Sequence, residues 1–360
     1  MTPRSPLTTP FNRRRLVLAS GGAILAAPFL SHFAASAQDA ISVTMVTDTA
    51  GIGDESFSDM AKAGGDRATE ELGIEFRILE SQTPADYVQN LTDAAKKSDL
   101  IIAAGFLMQD ALADVAPDFA DKHFAILDTV VEGDNIVSFE FREQEGSFLA
   151  GALAALVTRT NTIGFIGGIR IPPVMRYEVG YVAGAKSVNP DIEVLISYVD
   201  DFEDPGTGKE FTLAQYNNGA DIVLAAAGRT GTGAFDAAKE KGEGVYVIAA
   251  DQDQSGPAAD FQLATVIKGL DTAVFDACQM VQSGNFEAGI RNLGITEKGI
   301  DLGAIDENVA QDVLEVVAMY KAAIVDGAIV PPADDDSLRE FRFISPEDLG
   351  AASPEASPAP

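Results

Sequence analysis

Residues 41–57, ISVTMVTDTAGIGDESF, set the pattern that decides the fold. An apolar, β-branched run ends at Thr47, an acidic and glycine-containing loop follows, and an amphipathic stretch begins near Phe57. A short β-branched run bounded by turn residues reads as a strand, and spacing of apolar residues by three and four reads as a helix. The same unit recurs along the chain. EFRIL, LIIAA, FAIL and IVSFEF are further strands, with helices expected over 56–71, 84–97 and 108–119. The pattern then restarts with TIGFIG, EVLISY, DIVLAAA, VYVIAA and LATVI, with helices near 177–188, 209–218 and 233–241. Strands alternating with helices of this length predict an α/β fold with parallel sheets covered on both faces. Two such units predict two Rossmann-like lobes joined by crossovers. The first lobe is expected over 38–158 plus about 269–300 and the second over 159–268 plus about 301–330. Thr158–Asn161 and the later crossovers would form the hinge, and 331–360 is an extension whose end, SPEASPAP, is expected to be disordered.

Upstream of this pattern, Arg13-Arg14-Arg15 precedes an apolar run from Leu16 to Leu30, and Ala35-Ser36-Ala37 offers small residues to a signal peptidase. Paired arginines before a modest apolar core predict a cleaved signal peptide of twin-arginine type over 1–37. That run contains Gly21, Gly22 and Pro28 and falls short of the roughly 20 residues a spanning helix needs. No Cys follows it, so the expectation is a periplasmic protein without a lipid anchor. The formal charge of −30, from 55 acids against 25 Lys and Arg, repels nucleic acid and anionic membrane surfaces.

Several chemistries are missing. Cys278 is the single Cys, and His123 is the single His beyond the leader, so neither a disulfide, a zinc cluster nor a Cys–His pair can be built. G-x-S-x-G, H-E-x-x-H and G-x-x-x-x-G-K-[ST] motifs do not occur. No catalytic residue, metal or cofactor is called for, although acid pairs leave carboxylate-only hydrolysis open.

Ligand sites of such folds lie in the loops beyond the carboxyl ends of the strands. Those loops carry Asp48, Phe57 and Ser58, then Phe106 and Asp110, then Arg229 and Phe235, then Asp251 and Lys268. Aromatics converging on one cleft would sandwich a flat ring. An acid at a strand end can accept hydrogen bonds from vicinal hydroxyls, although it can equally cap a helix.

TDTAGIGDESF at 47–57 resembles the first signature of the basic membrane protein family, the substrate-binding proteins of ABC importers that include purine nucleoside receptors. FREQEGSFLAGALAAL (141–156), IGFIGG (163–168), EVGYVAGAKSVNPDI (178–192), DPGTGKEFTLAQYNNGADIV (204–223), AGRTGTGAF (227–235) and DQDQ (251–254) are similar to that family in the same order. The resemblance implies a type I periplasmic-binding-protein fold closing around a nucleoside-like ligand, and an ABC permease in the inner membrane as partner. It implies Phe57 stacking on one face of the base, with Asp48 and Ser58 at its edge. The second face falls to Phe235, with Phe202 as rival; Asp251 would hold ribose hydroxyls and Lys268 would add a donor. Glu145, Gly146 and Gly151 match as structural positions. Ser58 stands where the family usually has Asn, and Arg229 where it usually has Gly. The protein is expected to be a monomer that binds a nucleoside, nucleobase or related flat heterocycle. The rival expectations are an enzyme such as a nucleoside hydrolase, or a ligand sensor for a membrane receptor.

Overall fold

The structure, a computed structural model, describes residues 40–256 and 258–351. The leader and the SPEASPAP tail lie outside the described residues. The first lobe contains β1 (Ser42–Thr47), α1 (Phe57–Leu72), β2 (Glu75–Glu80), α2 (Tyr87–Ala95), β3 (Leu100–Ala104), α3 (Gln109–Val115), β4 (His123–Leu127) and β5 (Ile136–Phe141). After α4 (Glu143–Val157) the second lobe follows with β6 (Thr162–Gly167), α5 (Pro172–Val188), β7 (Glu193–Tyr198), α6 (Pro205–Asn217), β8 (Ile222–Ala226), α7 (Arg229–Lys241), β9 (Tyr246–Asp251) and β10 (Gln262–Lys268). The chain returns to the first lobe for α8 (Leu270–Gln282) and β11 (Gly289–Leu293). It then crosses again for β12 (Ile300–Gly303), α9 (Gln311–Val325), α10 (Asp335–Glu340) and α11 (Pro346–Ala351).

The two sheets run β11-β5-β4-β3-β1-β2 and β12-β10-β9-β8-β6-β7, matching strand for strand. Pairing is parallel except between β10 and β12. The central strands LIIAA of β3 and IVLAA of β8 are buried along their whole length, as parallel strands covered on both faces must be. In each sheet the strand order reverses at the first strand, between β1 and β3 and between β6 and β8. That switch point opens the crevice in which such sheets bind ligands.

The lobe boundary differs from the sequence expectation. α4 is apolar on almost every side and packs on α5 through glycines. A Cβ on Gly151 would lie 2.0 Å from the Tyr181 carbonyl oxygen, and one on Gly184 1.9 Å from that of Phe148. Thr158 Oγ1 and the Arg159 amide both donate to the Asp221 carboxylate at the start of β8, at 2.6 and 2.7 Å. These bonds fix Thr158–Asn161 to the second lobe, so the first crossover falls before α4, at Arg142, and not behind it. Arg142 there donates to the Asn292 carbonyl of β11 at 3.2 Å and to Glu297 on the third crossover. The extension folds back on the second lobe: Tyr320 OH donates to the Ile344 carbonyl at 2.8 Å, and the Phe341 ring meets Phe148 edge-on.

Candidate functional site

A cavity lies between the lobes at the switch points of both sheets. Its first-lobe wall is set by the start of α1. Asp54, buried just ahead of that helix, accepts the amides of Ser56, Ser58 and Asp59 at 3.0, 2.8 and 3.1 Å. Those amides have no carbonyl partner within the helix, so one carboxylate satisfies three orphan donors and fixes the helix entry. The side chains of Phe57 and Ser58 are thereby presented to the cavity. Burial raises the Asp54 pKa to about 6 against the pull of those amides. Asp48, at the end of β1, accepts the Ala50 amide at 3.0 Å. Its other oxygen points toward Gly105, where a Cβ would sit 3.2 Å from it and 3.8 Å from the Phe57 ring. Poor hydration pushes the Asp48 pKa to about 7, and the like charges of Asp54, Glu203 and Asp128 act in the same direction.

The second lobe supplies Phe202 from the loop after β7, Gly228 after β8 and Asp251 at the end of β9. The start of α5 adds Ile171, Pro173, Val174 and Tyr177. Asp251 is held at φ 69°, a left-handed conformation that is rare outside glycine and accumulates at functional sites. Its carboxylate accepts Tyr177 OH at 2.9 Å and, across the cleft, Ser56 Oγ at 2.6 Å. Each oxygen keeps a further lone pair.

Lys268 ends β10 with its ammonium buried between both lobes. It bonds Asp128 of the first lobe at 2.7 Å and Glu143 of α4 at 2.8 Å, and Glu143 also accepts Arg176 Nε at 2.5 Å. The rings of Phe57, Phe141 and Tyr177 surround the ammonium at 5.3, 5.0 and 5.9 Å. Burial opposes every charge in this group. On Lys268 the two carboxylates outweigh it and raise the pKa. On Glu143, Arg176 and Lys268 outweigh it and hold the carboxyl low, while on Asp128 burial wins and pushes the carboxyl up to about 6. With its charge matched by two carboxylates, Lys268 is poorly placed to neutralise a phosphate.

Of the residues expected from sequence, Asp48, Phe57, Ser58, Phe106, Asp251 and Lys268 line this cavity, as does Phe202. Phe235 does not. It lies in the second turn of α7 and is buried in the second-lobe core, in a cluster that includes Ile166, Tyr216 and Val247. Asp110 is exposed on α3 and borders a separate surface hollow with Pro117 and Asn135. Arg229 lies outside the lining and donates Nη2 to the Ile52 carbonyl at 3.0 Å, from one lobe to the other. Sequence reasoning passed over Asp128 and Tyr177. Asp128 directly follows the strand HFAIL, so the strand-end rule applies to it as well. Tyr177 was placed at a helix start that in fact lies at Pro172, where proline is tolerated because the first-turn amide needs no partner.

Two parallel-sheet lobes, three crossovers and a cavity spanning both switch points define a two-lobed solute-binding protein. Residues 41–334 match the family described as Bmp, ABC transporter substrate-binding protein PnrA-like, and the chain belongs to that family. It is 35% identical over 315 residues to "ABC transporter nucleoside-binding protein BmpA" of Lactococcus lactis, covering 81% of this chain and 89% of that one. It is 33% identical over 281 residues to "Uncharacterized lipoprotein PYRAB04520" of Pyrococcus abyssi, covering 74% of this chain and 70% of the relative. A solved ABC transporter solute-binding protein from Aeropyrum pernix superposes with a TM-score of 0.78 at 30% identity, over 86% of this chain and 98% of that one. The family consists of binding proteins, not enzymes, which sets aside the hydrolase expectation. It implies a small-molecule ligand, a permease partner and a place of work outside the cytoplasmic membrane. The lipoprotein name of the archaeal relative runs against the expectation of no lipid anchor; Cys278, the single Cys here, is buried in α8. No helix among the described residues is long and apolar enough to cross a membrane.

Proposed function

We propose that this protein captures a nucleoside or related flat heterocycle, one molecule per chain, and delivers it to an ABC permease from the periplasm. The observation that carries the reading is the presence of Phe57 and Phe202, one from each lobe, in the lining of a single cavity. Opposed aromatics hold a flat ring by stacking and tolerate differences among rings, because every base has a π-face. In this reading Phe202 takes the role that the sequence gave first to Phe235. Asp48 and Ser58 meet the polar edge of the ring, and the remaining lone pairs of Asp251 accept ribose hydroxyls. The acidic lining and the neutralised Lys268 disfavour phosphorylated ligands. The name of the Lactococcus lactis relative supports the same ligand class.

The test is mass spectrometry of whatever small molecule stays with the protein when it is purified without refolding. A nucleoside, nucleobase or flavin is the expected finding. A sugar or an amino acid in its place contradicts the ligand class and leaves the family intact.

A further inference from the structure

Among the described residues, side chains bridge the cleft faces from Ser56, Lys268 and Arg229. Ser56 to Asp251 and Lys268 to Asp128 both involve cavity residues, so ligand and lobe contacts are mixed there. The third, from the Arg229 guanidinium to the Ile52 carbonyl, stands outside the cavity lining. Arg229 is the first residue of α7, immediately after Gly228, and its Nε is buried without a partner. The acceptor is equally well placed. The Ile52 amide donates to Glu80 at 3.0 Å, while the Gly53 and Glu55 amides donate to Asp59 at 2.8 and 3.0 Å. Two carboxylates of the first lobe thus hold the loop so that one backbone oxygen faces the second lobe.

We infer that Arg229 is a latch: it forms its bond to Ile52 only when the lobes close, and it sets how long a ligand stays without touching it. A charged donor on a carbonyl is among the stronger neutral-acceptor hydrogen bonds. Its free energy enters the closed state alone and therefore biases the closure equilibrium. Because closure follows capture, the bond acts on escape and not on entry, so it appears in koff with kon nearly unchanged. Asp59 works through the same bond by presenting the acceptor; it is a positioning residue.

The experiment compares wild type, Arg229→Ala, Asp59→Asn and the double variant by binding kinetics on immobilised protein, with inosine as probe. Arg229→Ala should raise koff about tenfold with kon within about twofold. Asp59→Asn should raise koff less, and it should add almost nothing in the Arg229→Ala background, because the two act on one bond. Amide exchange over residues 51–56 in all four proteins, with and without ligand, supplies a second readout: faster exchange in ligand-bound Arg229→Ala, with the ligand-free proteins alike, supports the latch. Unchanged koff in Arg229→Ala, additive effects in the double variant, or unchanged exchange over 51–56 in the ligand-bound proteins would each overturn it. Circular dichroism confirms that the variants are folded. If inosine fails to bind wild type, the nucleoside reading is what fails, and the same kinetics and exchange with the small molecule that copurifies with the protein decide the latch.

Discussion

The loops leading into α1 and α7 are alike on paper and opposite in the folded protein. Each follows a buried strand, each is glycine-rich, and each is followed by a Phe, at 57 and at 235. Phe57 is the first residue of α1, held at the cavity by the Asp54 cap. Phe235 lies one turn further into its helix and turns toward the sheet with Ala234, Ala237 and Ala238. The difference arises from where each helix begins. α1 waits for a long loop and a capping carboxylate, whereas α7 starts at once, on Gly228 at φ 53°. The ring is therefore placed by the helix start, not by the motif around it.

The sharpest way to break this comparison is to remove both rings. Phe235→Ala should cost about 3–5 kcal/mol of stability, as large-to-small changes in well-packed cores do. The fraction that folds should still bind ligand normally. Phe57→Ala should do the reverse: a modest stability change and a loss of about 1–3 kcal/mol in ligand affinity, measured for Phe202→Ala as well. Denaturant melts and calorimetry on the same samples separate the two effects. Comparable affinity losses for Phe235→Ala and Phe57→Ala would return Phe235 to the site.

A finer contrast lies between the two acids at the carboxyl ends of β1 and β9. Asp251→Ala removes the acceptor proposed for ribose and leaves Ser56 and Tyr177 without their partner. Nucleoside affinity should fall by about 1–3 kcal/mol, the cost of a desolvated polar group left unmade, while nucleobase affinity changes less. Equal losses for inosine and hypoxanthine would show that Asp251 acts through the lobe contact alone.

Asp48 should show itself through pH. An exposed Asp loses its proton near 4, whereas burial pushes Asp48 to about 7 and Asp54 to about 6. The folded protein therefore holds more protons than the unfolded chain between about pH 4 and 7, and its stability without ligand should fall as pH rises through that window. Ligand binding has the opposite sign where an N–H of the ring meets the Asp48 carboxylate: affinity should rise from about pH 6 to about 8. Asp48→Asn should flatten that rise. A rise that survives the substitution assigns it to another group.

The regular parts of this molecule were legible because their causes are local. Every strand expected from a β-branched run, from ISVTMVT to LATVI, is present, and α4 runs over Glu143–Val157 as its unbroken apolar pattern demands. The first turns of α5 and α7 were missed, since Pro172-Pro173 and Gly228–Gly231 look like loop until tertiary packing makes them helix. Those two misses displaced Tyr177 and Phe235. Polar Thr158–Asn161 reads as a junction, but Asp221, distant in sequence, bonds it to the start of β8, a contact no local pattern announces. β11 and β12 join the sheet edges through long-range pairing, and their own residues carry little strand signal.

The central claim is that the cavity between Phe57 and Phe202 binds a flat nucleoside-like ligand. Titration calorimetry of the wild-type protein against nucleosides, nucleobases, flavins, sugars and amino acids tests it most directly. The account predicts one-to-one binding, at micromolar affinity or tighter, by at least one flat heterocycle, weakened in both Phe57→Ala and Phe202→Ala. Binding of a sugar or an amino acid with no response to any flat ring would contradict it.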